Sequence, residues 1–262
     1  MSRKVAVHPT ALVDPRATLG EEVEVGPYTV IGPHVKVGSR TRIGAHGVLE
    51  GYTSIGEECQ IFTGAVIGSI PQDLKYAGEK SELIIGDRNR IREYVTINPG
   101  TKGGGGKTVI GSDCLLMAYA HVAHDCLISD HVIIANSAAL AGHIVIEEGA
   151  VIGGLVGIHQ FVRVGTLAII GGCSKVIQDV PPYSTCAGYP AKVFGLNREG
   201  LRRAGVATNA KDRLHRAFRT LFQSGLSMSH ALEQVAREDT HGPEVTHLLE
   251  FIRQSKRGVC RA

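Results

Sequence analysis

Valine, isoleucine and leucine recur at every sixth residue of this chain. Val7, Val13, Leu19, Val25, Ile31, Val37, Ile43, Leu49, Ile55, Ile61 and Ile67 form an unbroken series, and Ile85, Ile91 and Ile97 resume its phase. The phase then slips by one and continues through Ile110, Leu116, Val122, Ile128, Ile134, Leu140, Ile146, Ile152, Ile158, Val164, Ile170 and Val176. A period of six fits neither an amphipathic helix, at about 3.6, nor a half-buried strand, at about 2. It fits a short strand and a corner, repeated. Each aliphatic points inward, and a small residue two positions earlier (Ala11, Thr29, Thr41, Ala65, Ala120, Ala138) lets the corner close. Glycine often follows the aliphatic, as at Gly20, Gly26, Gly38, Gly56, Gly86, Gly111 and Gly153. It is expected there to relax the backbone at the bend. Hexapeptide repeats are a sign of the parallel β-helix. Residues 1–190 therefore read as a mainly β prism, with three hexads to a coil of eighteen residues.

Two segments interrupt the pattern. Ile67 and Ile85 lie eighteen residues apart, so 68–84 reads as one coil looped out without loss of phase. Residues 98–109 carry Asn98-Pro99-Gly100 and Gly103 to Gly106 and read as a flexible loop. Loops on a rigid scaffold commonly carry function. The Gly106-Lys107-Thr108 run ends like a phosphate-binding loop, but Thr101 stands where the first glycine is needed and no helical pattern follows.

Beyond Pro181-Pro182 and Pro190 the period changes. Leu214, Ala217, Phe218, Leu221 and Phe222 share one helical face, closed by Gly225. Ala231, Leu232, Val235 and Ala236 form a second face, and Pro243 opens a third with Val245, Leu248, Leu249 and Ile252. Residues 191–262 thus read as an α-helical domain.

Composition fits this division. The 262 residues are 43% apolar and only 5% aromatic, with no Trp and with 33 Gly, which suits tight corners better than a bulky mixed core. The net charge is +3. Residues 191–262 hold thirteen Lys and Arg against seven Asp and Glu, a net +6, and the remainder carries −3. Such a basic tail fits an acidic partner. It is a poor fit to nucleic acid, because no aromatics interleave with the charges to stack bases. No apolar stretch approaches the roughly 18 residues that span a bilayer. Met1-Ser2-Arg3-Lys4-Val5 lacks the apolar region of a secretory leader, and the six Cys include no C-x-x-C pair. A cytoplasmic address is expected.

Candidate chemistry gathers where coils would stack. At eighteen residues per coil, position n lies over n+18 at about 4.8 Å. His124 then stacks on Gly142 and Gly142 on Gln160, while Asp125 stacks on His143; His121 and His159 are near. An imidazole base, a reachable backbone N–H, an amide and a carboxylate on one face are the inventory of acyl transfer. A zinc site is the rival reading, but His121 and His124 are about 10 Å apart along an extended chain, so one ion joins both only around a corner or between subunits, and no Cys pair helps. Cys126 falls in the inward small-residue register and reads as buried filler rather than nucleophile.

Several runs are specific beyond the repeat: Gln72-Asp73-Leu74-Lys75-Tyr76-Ala77-Gly78, His121-Val122-Ala123-His124-Asp125-Cys126, Leu140-Ala141-Gly142-His143, His159-Gln160-Phe161, Gly171-Gly172-Cys173-Ser174 and Phe194-Gly195-Leu196-Asn197-Arg198-Glu199-Gly200. Over essentially its whole length the chain resembles the UDP-N-acetylglucosamine O-acyltransferases, which perform the first step of lipid A biosynthesis. The resemblance implies a left-handed parallel β-helix with a C-terminal α-helical domain, assembled as a homotrimer with active sites between neighbouring prisms. It implies transfer of an (R)-3-hydroxyacyl group from acyl carrier protein to the 3-hydroxyl of UDP-N-acetylglucosamine, with no metal and no cofactor beyond the carrier's phosphopantetheine. His124 is then the general base and the Gly142 N–H faces the oxyanion. Asp125 is the candidate to orient His124, although neighbouring strand residues point apart. Asp73, Lys75, His121, His143, His159 and Gln160 match substrate contacts, Gly172 a position that sets acyl length, and Asn197, Glu199 and Arg203 positions that meet nucleotide or carrier. Ala204 stands where the family often has a further Arg. The alternatives are the sibling N-acyltransferase, which carries an additional N-terminal domain where this chain begins its repeats by Val7, a zinc-dependent hydratase on the same scaffold, and a non-catalytic repeat protein.

Overall fold

The structure, a computed structural model, describes residues 4–237 and 242–261. Met1-Ser2-Arg3, part of the stretch read as lacking a leader, lie outside the described residues. The hexads form coils. Two-residue strands such as Glu24–Val25, Arg42–Ile43 and Ile133–Ile134 place one side chain outward and the periodic aliphatic inward. Among the described residues the strands stack into three sheets of 11, 9 and 8 strands, parallel except for the last pair of the first, which form the first, second and third faces of a prism. In uninterrupted coils the partners are one wrap apart: Glu24 lies beside Arg42, His121 beside Ala139, and Ala139 beside Gly157. The coils wind left-handed. Ile134, Leu140, Ile146 and Ile152 are completely buried along the axis. The small register behind them is buried too, and Thr29 and Thr41 satisfy their hydroxyls by donating to the carbonyls of Gly44 (2.7 Å) and Gly56 (2.9 Å).

The corners turn by a different device from the one expected. The residue with positive φ is the third after the aliphatic, as at Arg40 (60°), Asp125 (58°), His143 (62°) and Phe161 (65°). Among the described residues, no non-glycine residue in this conformation is β-branched, the class for which it is most costly. Many of these residues donate their N–H to the preceding coil, as Arg40 does to the Glu21 carbonyl (2.8 Å) and His143 to the His124 carbonyl (3.0 Å). The glycine just after the aliphatic is needed for space. A Cβ on Gly38 would lie 2.5 Å from the carbonyl carbon of Gly56, and one on Gly26 2.8 Å from that of Gly44. These glycines let successive coils touch.

Both interruptions leave the prism at the edge between the second and third faces. The first excursion is shorter than expected: the chain passes from Val66–Ile67 on the second face to Glu82–Ile85 on the third, so Glu82 to Ile84 belong to a strand. Eighteen residues separate Ile67 from Ile85 where a hexad would place six, so twelve are inserted at one corner and no coil is looped out. Twelve is two hexads, and the phase survives. The second loop joins Thr96–Ile97 to Lys107–Ile110 with seven inserted residues, which is the slip by one. Asn98 ties the two together by donating to the carbonyls of Ser69 (3.0 Å) and Ile70 (3.2 Å).

Strand structure also runs past residue 190. Ser184–Gly188 and Ala191–Leu196 form an antiparallel hairpin at the end of the first face. Four helices follow among the described residues: α1 (Arg198–Arg203), α2 (Thr208–Gln223), α3 (Met228–Ala236) and α4 (Pro243–Arg253). α2 buries Leu214, Ala217, Phe218 and Leu221, the face read from the sequence. His247 of α4 reaches Glu147 of the prism at 3.0 Å and the Tyr183 hydroxyl at 3.1 Å. No helix among the described residues is long and apolar enough to cross a membrane.

Candidate active site

Because each wrap repeats the last, one edge collects chemistry. Between the second and third faces the corners at His124-Asp125, Gly142-His143 and Gln160-Phe161 follow one another beside the two loops. The Phe161 N–H donates to the Gly142 carbonyl at 3.2 Å. A Cβ on Gly142 would lie 2.5 Å from Cε1 of His124, so the imidazole rests on the space that only glycine leaves. Gly142 is buried, and its N–H finds no acceptor among the described residues.

His124 and Asp125 are adjacent yet face one another, contrary to the expectation for strand neighbours. They sit at a corner, and the positive φ of Asp125 swings its carboxylate back, placing Oδ2 2.8 Å from His124 Nδ1. A carboxylate in this role only accepts, so the network assigns the proton to Nδ1 and leaves the Nε2 lone pair free. The Asp125 side chain has no exposure, and that of His124 has 14%. Thr101, on the second loop, donates its N–H to Asp125 Oδ1 (2.9 Å) and its hydroxyl to Oδ2 (2.6 Å). The Asp125 N–H in turn donates to Thr108 Oγ1 at 2.8 Å, where an uninterrupted coil would offer a carbonyl.

His143 meets His124 edge-on at 5.1 Å and stacks on Phe161 at 4.4 Å. Burial lowers its pKa; the Asp125 carboxylate opposes that shift and His124 adds to it. His121 is likewise lowered by burial, and its Nδ1 lies 2.7 Å from Thr96 Oγ1. Cys126 is wholly buried, and burial pushes its thiol up to about 12, which removes it as a nucleophile. His124, Asp125 and His143 place potential ligand atoms within 4.8 Å. In this arrangement both Asp125 oxygens accept hydrogen bonds from Thr101 and His124 Nδ1 is turned toward the carboxylate.

The remaining expected residues fall into separate cavities. Asp73 and Lys75 line one of about 720 Å³ with Glu79, Thr101, His143 and Phe161, beside the dyad. His121 and His159 line a groove of about 530 Å³ that runs past Leu155 and Cys173 to Tyr189. Gln160 is exposed on the corner above Gly142, and Gly172 is exposed next to Cys173. Glu199 and Arg203 lie elsewhere, in a cavity of about 690 Å³ bounded by Ile133, Val151 and Ile169 of the first face. One chain therefore does not bring them to His124. Glu199 is held down to about 2 by hydrogen bonds from Arg202 and then Arg203. Asn197 caps α1 by accepting from the Gly200 N–H (2.9 Å) and donates to the Leu167 carbonyl (2.8 Å), so its side chain is occupied structurally. Ala204 lines the same cavity without charge. Sequence reasoning missed Phe161, which the n+18 rule places over His143, and Thr101, which no periodic rule reaches across the insertion.

Comparison with known proteins agrees with this layout. A profile described as "Udp N-acetylglucosamine O-acyltransferase; Domain 2" matches residues 179–260, and a bacterial transferase hexapeptide profile matches 16–51 and 107–142. An acyl-[acyl-carrier-protein]--UDP-N-acetylglucosamine O-acyltransferase of Myxococcus xanthus is 53% identical over 97% of this chain and 99% of its own. Among solved structures, LpxA from Acinetobacter baumannii has a TM-score of 0.94 at 42% identity, covering 97% of this chain and 99% of its own. LpxA from Bacteroides fragilis has a TM-score of 0.95 at 43% identity, covering 97% of this chain and 100% of its own. Neither the sibling N-acyltransferase nor the hydratase is favoured by these relatives. The chain is an O-acyltransferase and belongs to the acyl-[acyl-carrier-protein]--UDP-N-acetylglucosamine O-acyltransferase family.

Proposed function

We propose that the edge at His124 moves an (R)-3-hydroxyacyl group from the thioester of acyl carrier protein to the 3-hydroxyl of UDP-N-acetylglucosamine. The observation that carries this is that buried Gly142, whose N–H has no acceptor among the described residues, packs against an imidazole whose Nε2 is free. Buried N–H groups are nearly always paired, and a donor beside a base is what a developing oxyanion requires. His124 Nε2 takes the proton of the sugar hydroxyl. The oxygen attacks the thioester carbonyl, and the negative charge on the carbonyl oxygen faces the Gly142 N–H. Collapse breaks the C–S bond, and the imidazolium gives its proton to the departing sulfur. The thioester supplies the activation, so the step uses no metal or redox cofactor.

The acceptor sugar fits the cavity of Asp73, Lys75 and His143, and the acyl chain the groove past His121 and His159. Gly172 leaves room for a long chain at the far side. The separation of Glu199 and Arg203 from His124 supports a homotrimer, in which a neighbour's first face completes the site. Arg216 and Arg219 of α2 are exposed, which suits docking of an acidic carrier protein. Six free thiols fit a reducing, cytoplasmic compartment.

Purified chain incubated with UDP-N-acetylglucosamine and a panel of hydroxyacyl carrier proteins is expected to give an O-acylated nucleotide sugar, read by mass. Turnover only with an acceptor bearing a free amine would contradict the assignment.

A further inference from the structure

Thr101 lies in the wall of the Asp73 and Lys75 cavity and makes two of the three hydrogen bonds that the Asp125 carboxylate accepts among the described residues, with His143 Nδ1 a further 3.9 Å from Oδ2. Its N–H is 2.9 Å from Oδ1 and its hydroxyl 2.6 Å from Oδ2. The second oxygen is the one that receives His124 Nδ1 at 2.8 Å. Thr101 is itself buried, at 5% exposure, and the following turn, Lys102–Gly104, folds over the carboxylate so closely that a Cβ on Gly104 would collide with it. From below, the Thr108 hydroxyl holds the Asp125 N–H in its left-handed conformation. An insertion that removes one carbonyl from the coil thus returns two threonines to the dyad.

We propose that Thr101 is a positioning residue for the acyl transfer: its two donors hold the Asp125 carboxylate so that His124 keeps its proton on Nδ1 and presents Nε2 to the acceptor hydroxyl. This rests on His124 being the base. Two consequences separate it from a merely structural role. With one donor gone, Asp125 gains a freedom of rotation that His124 inherits, and kcat falls; Thr101 lines the sugar cavity, but its hydroxyl is committed to Asp125 Oδ2, so binding of the nucleotide sugar changes much less. Oδ2 also loses a competing proton donor. It then stabilises the imidazolium more strongly, and the acid limb of the pH profile moves to higher pH. Other groups facing the imidazole are His143 edge-on and His121 on the neighbouring strand. Asp73, Lys75, Glu79 and Lys102 line the adjoining cavity. Substitution at Thr101 changes none of these.

The test compares Thr101→Val, Thr101→Ser, His124→Ala and wild type in steady state across the pH range. Thr101→Val keeps the shape and deletes the hydroxyl, and a fall in kcat of about 10-fold is expected, with KM for UDP-N-acetylglucosamine within about 2-fold and the acid limb shifted upward. Thr101→Ser restores the hydroxyl and is expected to recover both rate and profile. Thr101→Ala deletes the same hydroxyl in a smaller side chain and carries the same expectation, so the outcome does not depend on one variant folding. Wild-type kcat and an unshifted limb in both Thr101→Val and Thr101→Ala, with His124→Ala inactive, would overturn the role of Thr101 alone. Activity retained in His124→Ala would overturn the reading beneath it.

Discussion

Replacing His124 with alanine is expected to lower kcat by at least ~10²-fold, the usual scale for loss of a general base, and to leave the prism assembled. The side chain lies outside the axial core, at a corner whose turn is made by the backbone of Asp125. Its contacts are with the Asp125 carboxylate, the His143 ring and the surface of Gly142. Removing it opens space above Gly142 and leaves the oxyanion donor in place, so residual turnover from positioning alone is expected. Steady-state kinetics paired with a thermal melt checks both parts. Near-wild-type turnover in a folded variant would remove His124 from the chemistry.

Asp125→Asn is expected to cost about as much, although it changes one atom. Asp125 offers two accepting oxygens, one to the Thr101 N–H and one shared by the Thr101 hydroxyl and His124 Nδ1. An amide offers one oxygen. If that oxygen stays with the Thr101 N–H, the NH₂ faces His124 and drives the imidazole proton to Nε2, where the base is blocked. If the amide turns over, its NH₂ meets the Thr101 N–H in a buried site, at an expense in stability of about 1–3 kcal/mol. Either arrangement also deprives the imidazolium of its counter-charge. A kcat loss of about 10²-fold or more is expected, with the acid limb of activity moved to lower pH. A variant with unchanged kcat would show that the carboxylate does not set the tautomer.

These effects were partly legible in the chain itself because a coil is a one-dimensional device. Once the period of six and the three-hexad wrap were read, His124 over Gly142 and Asp125 over His143 followed by addition. The same rule places Phe161 over His143. It fails wherever residues are inserted. Thr101 lies under Asp125 at a separation of 24 residues rather than eighteen, and nothing in the Gly-rich loop marks which residue takes that place. The corner mechanism is hidden in the chain for a different reason. Glycine after the aliphatic is conspicuous, and its freedom of φ is the familiar explanation, but here it answers crowding between coils. The positive φ falls on residues such as Arg40 and His143 that carry no compositional signal beyond not being β-branched. Asp125 would likewise point away from His124 in a strand and points at it from a corner. The last hairpin, through Leu196, joins the first face by pairing Ile169 with Thr185 and Ile170 with Cys186, a register of sixteen that the hexad pattern does not contain.

The most direct measurement is a crystal structure of the assembled protein with UDP-N-acetylglucosamine and a non-hydrolysable acyl-pantetheine bound. The expected complex has the sugar 3-hydroxyl within about 3 Å of His124 Nε2 and the acyl oxygen turned toward the Gly142 nitrogen. A sugar seated so that its 3-hydroxyl lies beyond reach of His124, or an acyl carbonyl held by donors on another edge of the prism, would contradict the assignment of this edge as the place of reaction.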